Sequence, residues 1–185
     1  MGPVDAAKTF YESARLELIE RIKLRDRDLV VYLSIVGTIS SAASVWDRYE
    51  ALMVIPFLSL GFSIIISQHN VLIGYLGDFC VREIGPFLEN LECGKCIPQW
   101  DRSAALHDYS KHAIGLRTWG HFLLLIIPGI YALIINFSLL TSKIIMALLW
   151  STAFLSMVLA IYIIIIAHKH RKKIYNNFKW NERPN

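Results

Sequence analysis

Hydrophobic residues in this chain gather into four long, charge-poor stretches, 29–46, 51–77, 118–142 and 144–167, separated by segments in which apolar and charged positions alternate with helical spacing. Each stretch reaches the roughly 18–25 residues that a helix rising 1.5 Å per residue needs to cross the hydrocarbon core of a bilayer. A water-soluble bundle would keep one polar face on each helix, but the run from Phe122 to Ile135 and the IYIIII block before Ala167 have none. The pattern predicts an all-α membrane protein with four transmembrane helices.

The intervening segments also read as helical. In 1–28, Phe10, Tyr11, Leu16, Leu18, Ile19, Ile22 and Leu24 are interspersed with charges, and no Gly or Pro interrupts the chain between Asp5 and Asp28. This amphipathic helix is expected to run unbroken into span one, with Glu17 one turn before Arg21. Two roles stay open for it: lying on anionic headgroups, or packing against other cytoplasmic helices. The second span, 51–77, is expected to extend past the membrane edge, because apolar spacing continues through Val71, Leu72, Tyr75, Leu76, Phe79 and Ile84 to Pro86, the first strong breaker. On the return, Asp101 is placed to cap a helix through Ala105, Leu106, Tyr109, Ala113 and Leu116 into span three. Residues 78–117 therefore read as a helical hairpin with its tip at 90–99, and 168–185 as a basic tail.

Composition sharpens this picture through the placement of charge. Seventeen of the nineteen Lys and Arg lie before span one, between spans two and three, or after span four; only Arg48 and Lys143 lie on the other side. Cations near span ends are retained in the cytoplasm, so both termini and the central loop are expected there, an N-in/C-in arrangement. Residues 1–28 lack the apolar core of a cleavable signal, and none is expected. Cys80, Cys93 and Cys96 all fall in the central loop, where a reducing compartment disfavours structural disulfides. The outer connections are too short to form a domain, so function is expected in the membrane or just beneath it.

Span one carries Ser34, Gly37, Thr38, Ser40, Ser41 and Ser44, a small and hydroxylated face at spacings of three and four. Such a face allows close helix packing in lipid; alternatively Ser34, Gly37, Thr38, Ser41 and Ser44 line a pore, their hydroxyls replacing part of an ion's hydration. Ser59, Ser63 and Ser67 form a weaker stripe on span two. Neither span holds Asp, Glu, Lys or Arg along these stripes, which argues against a voltage sensor or charged selectivity ring. Gln68, His69 and Asn70, where span two meets the cytoplasm, suit either a helix–helix hydrogen bond or a gate and vestibule.

Cations interleaved with aromatics mark the cytoplasmic side: Arg21, Lys23, Arg25 and Arg27; Arg82; Trp100 with Arg102; Lys111 with Arg117; and Arg171, Lys172, Lys173 with Trp180. They combine phosphate neutralisation with stacking surfaces, as single-stranded nucleic-acid sites do, although basic clusters beside spans also set topology and hold anionic lipid. Cys93, Cys96, His107 and His112 superficially match a zinc pattern, but ten intervening residues are too few for a finger. Asp78, Glu83, Glu89 and Glu92 have no matched histidine pair, and neither catalysis nor a cofactor is expected. On residues alone, a channel and a non-conducting membrane adaptor that recruits a soluble cytoplasmic partner both remain.

The charged helix LELIERIKLRDRD entering a Ser-rich span, then PFLSLGFSIIISQHNVLIGYLGDF and two further spans ending in HKHRKK, resembles over essentially the whole chain the compact four-span effectors of bacterial anti-phage operons. The likeness is greatest to the membrane effectors of the Hailong defence system. That resemblance implies a multi-pass protein of the bacterial inner membrane, a homo-oligomeric ion channel, tetrameric in the family's pattern, held shut by a single-stranded DNA oligonucleotide. It also implies a partner nucleotidyltransferase, encoded nearby, that makes the oligonucleotide.

Overall fold

A computed structural model describes residues 2–91, 104–141 and 144–176. In chain order the elements are α1 (Pro3–Val45), a 3-10 turn (Tyr49–Val54), α2 (Ile55–Phe79), a π turn (Cys80–Ile84), α3 (Gly85–Leu91), α4 (Ala104–Ile135), a second 3-10 turn (Phe137–Thr141) and α5 (Ile144–Asn176). Among the described residues there is no strand. Four helical segments are long and apolar enough to cross a membrane, so the chain is a multi-pass membrane protein.

α1 runs for 43 residues without a break, a length of about 65 Å at 1.5 Å per residue. Its start is well made: Pro3 occupies the first turn, where its missing N–H is no loss, and the Gly2 N–H donates to Asp5 Oδ2 at 3.0 Å. Its end is a left-handed stop. Asp47 has φ of 52°, a region that Asp tolerates better than most residues, and the Arg48 N–H closes back onto the Ala43 carbonyl at 2.9 Å.

Two sequence expectations are corrected. Pro86 does not end the second helix; the ladder loosens earlier, in the π turn, and Pro86 falls in the first turn of α3, where a missing donor is tolerated. Residues 168–176, expected as the start of a basic tail, continue α5. Residues 90 and 91 of the expected hairpin tip end α3, and the rest of the tip and the Asp101 cap lie outside the described residues.

α2 is the central helix, packing on α5, α1 and α4. Its Ser59, Ser63 and Ser67 are buried within the bundle and so do not form an exposed second stripe. Small residues let the helices approach: a Cβ on Gly129 of α4 would collide with Met157 Sδ and stand 2.8 Å from its Cε. Tyr32, fully buried, joins three helices. Its hydroxyl donates to the Leu125 carbonyl at 3.1 Å, so its single proton is used, and Ser59 Oγ must be the donor in the 2.8 Å bond between them. Pro128, inside α4, removes the donor that the neighbouring Leu124 carbonyl would otherwise receive. At the end with the short connections, Asn136 donates to the Tyr49 carbonyl at 2.9 Å, and Trp150 Nε1 to the Leu133 carbonyl at 3.1 Å. Exposed Trp46 and Tyr49 at that end, and Trp119 at the other, occupy the aromatic positions typical of a membrane interface.

Tyr32→Phe keeps the ring and removes both hydroxyl bonds, leaving Ser59 and the Leu125 carbonyl to find other partners. It is expected to lower stability in detergent by about 1–2 kcal/mol, read as a reduced melting temperature, with helix content by circular dichroism unchanged.

Candidate functional site

Three of the charge-poor stretches meet charged segments at 28/29, 117/118 and 167/168, and the structure brings these points level with Asn70, inside the second stretch, in one polar layer across the bundle. Asn70 of α2 is its hub. Arg25 of α1 donates from Nη1 to Asn70 Oδ1 at 3.3 Å, Asn70 Nδ2 lies 3.1 Å from His121 Nδ1 on α4, and Arg171 Nη1 of α5 donates to the Asn70 backbone carbonyl at 2.7 Å. The chemistry of the donors fixes the rest. A guanidinium can only donate, so Oδ1 faces Arg25; Nδ2 can then only donate to His121, whose Nδ1 must carry a lone pair, which makes that imidazole neutral.

A second link runs beside the first. Thr118 Oγ1 donates to the Ile114 carbonyl at 2.8 Å, so in its 2.9 Å bond with His168 Nδ1 it accepts, and His168 carries its proton on that nitrogen. Closer to α1, His69 Nε2 approaches Asp28 Oδ2 at 3.6 Å. Arg25 is buried and is held by Asp26, whose Oδ1 accepts from Nε at 2.9 Å and from Nη2 at 2.7 Å. Polar groups at this depth need partners inside the protein.

The expected gate residues therefore divide. His69 and Asn70 turn inward to polar partners on other helices, whereas Gln68 is exposed and stands apart from them. The expected ligand cations divide as well. Arg25, Arg117 and Arg171 converge, close enough that Arg25 and Arg117 repel the charge on Arg171. Arg21 pairs with Glu17 at 3.2 Å and Arg82 with Asp78 at 2.7 Å, both one turn apart along the chain. Lys23 and Arg27 are exposed on α1, and Lys172 and Lys173 on α5. Lys111, His107 and His112 fall on α4; Trp100, Arg102, Trp180, Cys93 and Cys96 lie outside the described residues.

Ser34, Gly37, Thr38, Ser41 and Ser44 are all exposed. Ser34 and Thr38 bond back to the carbonyls of Val30 and Ser34, each at 2.9 Å. Nothing lies within 4 Å of a Cβ placed on Gly37. At 3.6 residues per turn, Leu16, Lys23, Arg27, Ser34 and Ser41 fall within about 40° of arc. Ala7, Ala14, Arg25, Tyr32, Val36 and Ala43, the buried side of α1, lie on the opposite face. Close packing within one chain thus uses the other side of α1, and the small-residue stripe is turned away from the bundle.

His121 and Thr118 belong to the polar layer without having been expected there. The available signal is a histidine set among apolar residues one turn after Arg117, an expensive placement unless it has a partner.

Asn70→Ala removes the bonds to Arg25 and His121 but leaves the backbone carbonyl that holds Arg171. The expected cost is about 2–3 kcal/mol, seen as earlier thermal unfolding in detergent, while the exposed Gln68→Ala should change it by less than about 0.5 kcal/mol. Comparison with family models, with curated proteins and with solved structures finds no match to this chain.

Proposed function

We propose that the chain is the subunit of a homo-oligomeric, ligand-gated ion channel of the bacterial inner membrane, with α1 of each copy turned to a central path. The polar layer then sits at the cytoplasmic edge. A single-stranded DNA oligonucleotide from a neighbouring nucleotidyltransferase binds below it and holds the path closed, as in the tetrameric effectors the sequence resembles.

The observation that carries this reading is the outward stripe of Ser34, Gly37, Thr38 and Ser41. A single copy offers no conduit, because its interior is filled by residues such as Tyr32, Leu125 and Ile126. Several copies with these stripes facing inward would enclose a hydroxyl-lined path with no fixed charge in the membrane. Continued downwards, the same face of α1 presents Arg27 and then Lys23, so a ring of cations would stand at the mouth. A polyanion seated there neutralises like charges that otherwise repel, and it closes the path if it binds that arrangement better than the open one.

One observation favours the alternative, a non-conducting adaptor. Phe10, Leu16 and Ile19 are exposed on the amphipathic part of α1, a surface that a soluble partner could cover.

Planar-bilayer recording separates the two. Purified protein is expected to give discrete currents without oligonucleotide, and Ser41→Leu, which alters an exposed side chain, is expected to abolish or strongly reduce them without changing thermal stability. Silence under all conditions would remove the channel reading and leave the adaptor. Oligodeoxynucleotide binding is expected to weaken steeply with salt. Lys23→Gln or Arg27→Gln should reduce the slope of log K against log salt by about 0.7 for each phosphate that is no longer neutralised. Binding indifferent to salt would exclude this sensor.

A further inference from the structure

A small cavity of about 20 Å³ opens between α2, α4 and α5 at the level of the polar layer. Arg117, Thr118, His168 and Arg171 line its polar end, and Leu125 and Ile164 its apolar end. Arg171 is the informative residue. Its guanidinium donates a hydrogen bond to a neutral carbonyl, and among the described residues the charges that act on it are those of Arg117 and Arg25, both repulsive. Asp26, a carboxylate that acts on the nearby His121, is committed to Arg25 through two bonds. Among the described residues this largely buried cation, held beside other cations against a cavity, has no counter-charge of the kind that such a group ordinarily has.

We propose that the polar mouth of this cavity receives a phosphate group, one oxygen of which enters the cavity, and that its natural source is the headgroup of an anionic phospholipid in the adjoining leaflet. Three constraints select this ligand. The cavity holds about one water-sized centre, so one phosphate oxygen enters while the rest of the ligand stays at the mouth; a base or sugar does not fit. The site lies at the level where three of the four apolar stretches meet charged segments, which suits the depth of lipid phosphates. Guanidiniums repel the ammonium of a zwitterionic headgroup, so phosphatidylglycerol or cardiolipin binds in preference to phosphatidylethanolamine. The phosphate replaces the missing carboxylate and ties α4 to α5 through Arg117 and Arg171. This site does not depend on conduction or on an oligonucleotide.

The test uses full-length protein in a neutral detergent, with thermal unfolding and native mass spectrometry as readouts. Phosphatidylglycerol is expected to raise the melting temperature by about 5–10 °C when present about 100-fold above its Kd, and one lipid per protomer is expected to survive into the spectrum. Arg171→Gln keeps a donor for the Asn70 carbonyl and removes the charge; its lipid affinity should fall about tenfold or more. Arg117→Gln provides a second variant should the first not fold. Lys172→Gln, on the neighbouring exposed position, should bind as the unaltered protein does.

Equal stabilisation of the Arg171→Gln and unaltered proteins would overturn the proposal, and so would equal losses in Arg171→Gln and Lys172→Gln, which would indicate diffuse surface charge. Stabilisation by phosphatidylethanolamine as strong as by phosphatidylglycerol would also overturn it. If inorganic phosphate alone reproduces the shift and no lipid is retained, the phosphate site stands and the lipid source fails. Displacement of the lipid by an oligodeoxynucleotide that itself protects through Arg171 would reject the lipid as occupant.

Discussion

The bundle is organised by the cost of placing polar groups where water ends. Asn70 meets that cost for three helices at once: its side chain joins Arg25 to His121, and its backbone carbonyl receives Arg171. Because a guanidinium only donates and a carboxamide has one end of each kind, the network has a single consistent assignment. That consistency fixes helix depth as well as helix packing. Sliding any one helix by a residue moves its partner about 1.5 Å along the axis and turns it by about 100°, which breaks the set.

Above this layer the packing is of a different kind. Tyr32, Ser59 and the Leu125 carbonyl form a second, smaller junction, and Gly129 yields its volume to Met157. In lipid such close packing and isolated hydrogen bonds take over from the hydrophobic effect as the source of association. The serines of α2 serve that purpose, whereas those of α1 do not. Two hydroxyl stripes of similar composition therefore have opposite fates, decided by which face of each helix the polar layer turns inward.

Much of the architecture was legible in the sequence for a simple reason: the runs 122–135 and 161–166 have no polar face, as helices buried in lipid require. The unbroken entry of α1 into its span was legible too, from the absence of Gly and Pro between Asp5 and Asp28. The π turn before Pro86 was not, because nothing in Cys80–Ile84 itself departs from ordinary helical spacing. The members of the polar layer were legible one by one, as Arg25, Asn70, Arg117 and Arg171, but their convergence was not. Residues separated by 45 and 101 positions meet only because four helices cross one level of the bundle. The opposite burial of the two serine stripes was equally hidden, since composition carries no information about rotation around the helix axis.

α1 has one further mechanical property. It is a rod with no break between Pro3 and Val45, seated on the rest of the molecule along its length, from Ala7 and Ala14 through Arg25 and Tyr32 to Val36 and Ala43. A rod seated in this way does not pivot about one point, so force on the part that carries Phe10 is shared with every helix against which it lies.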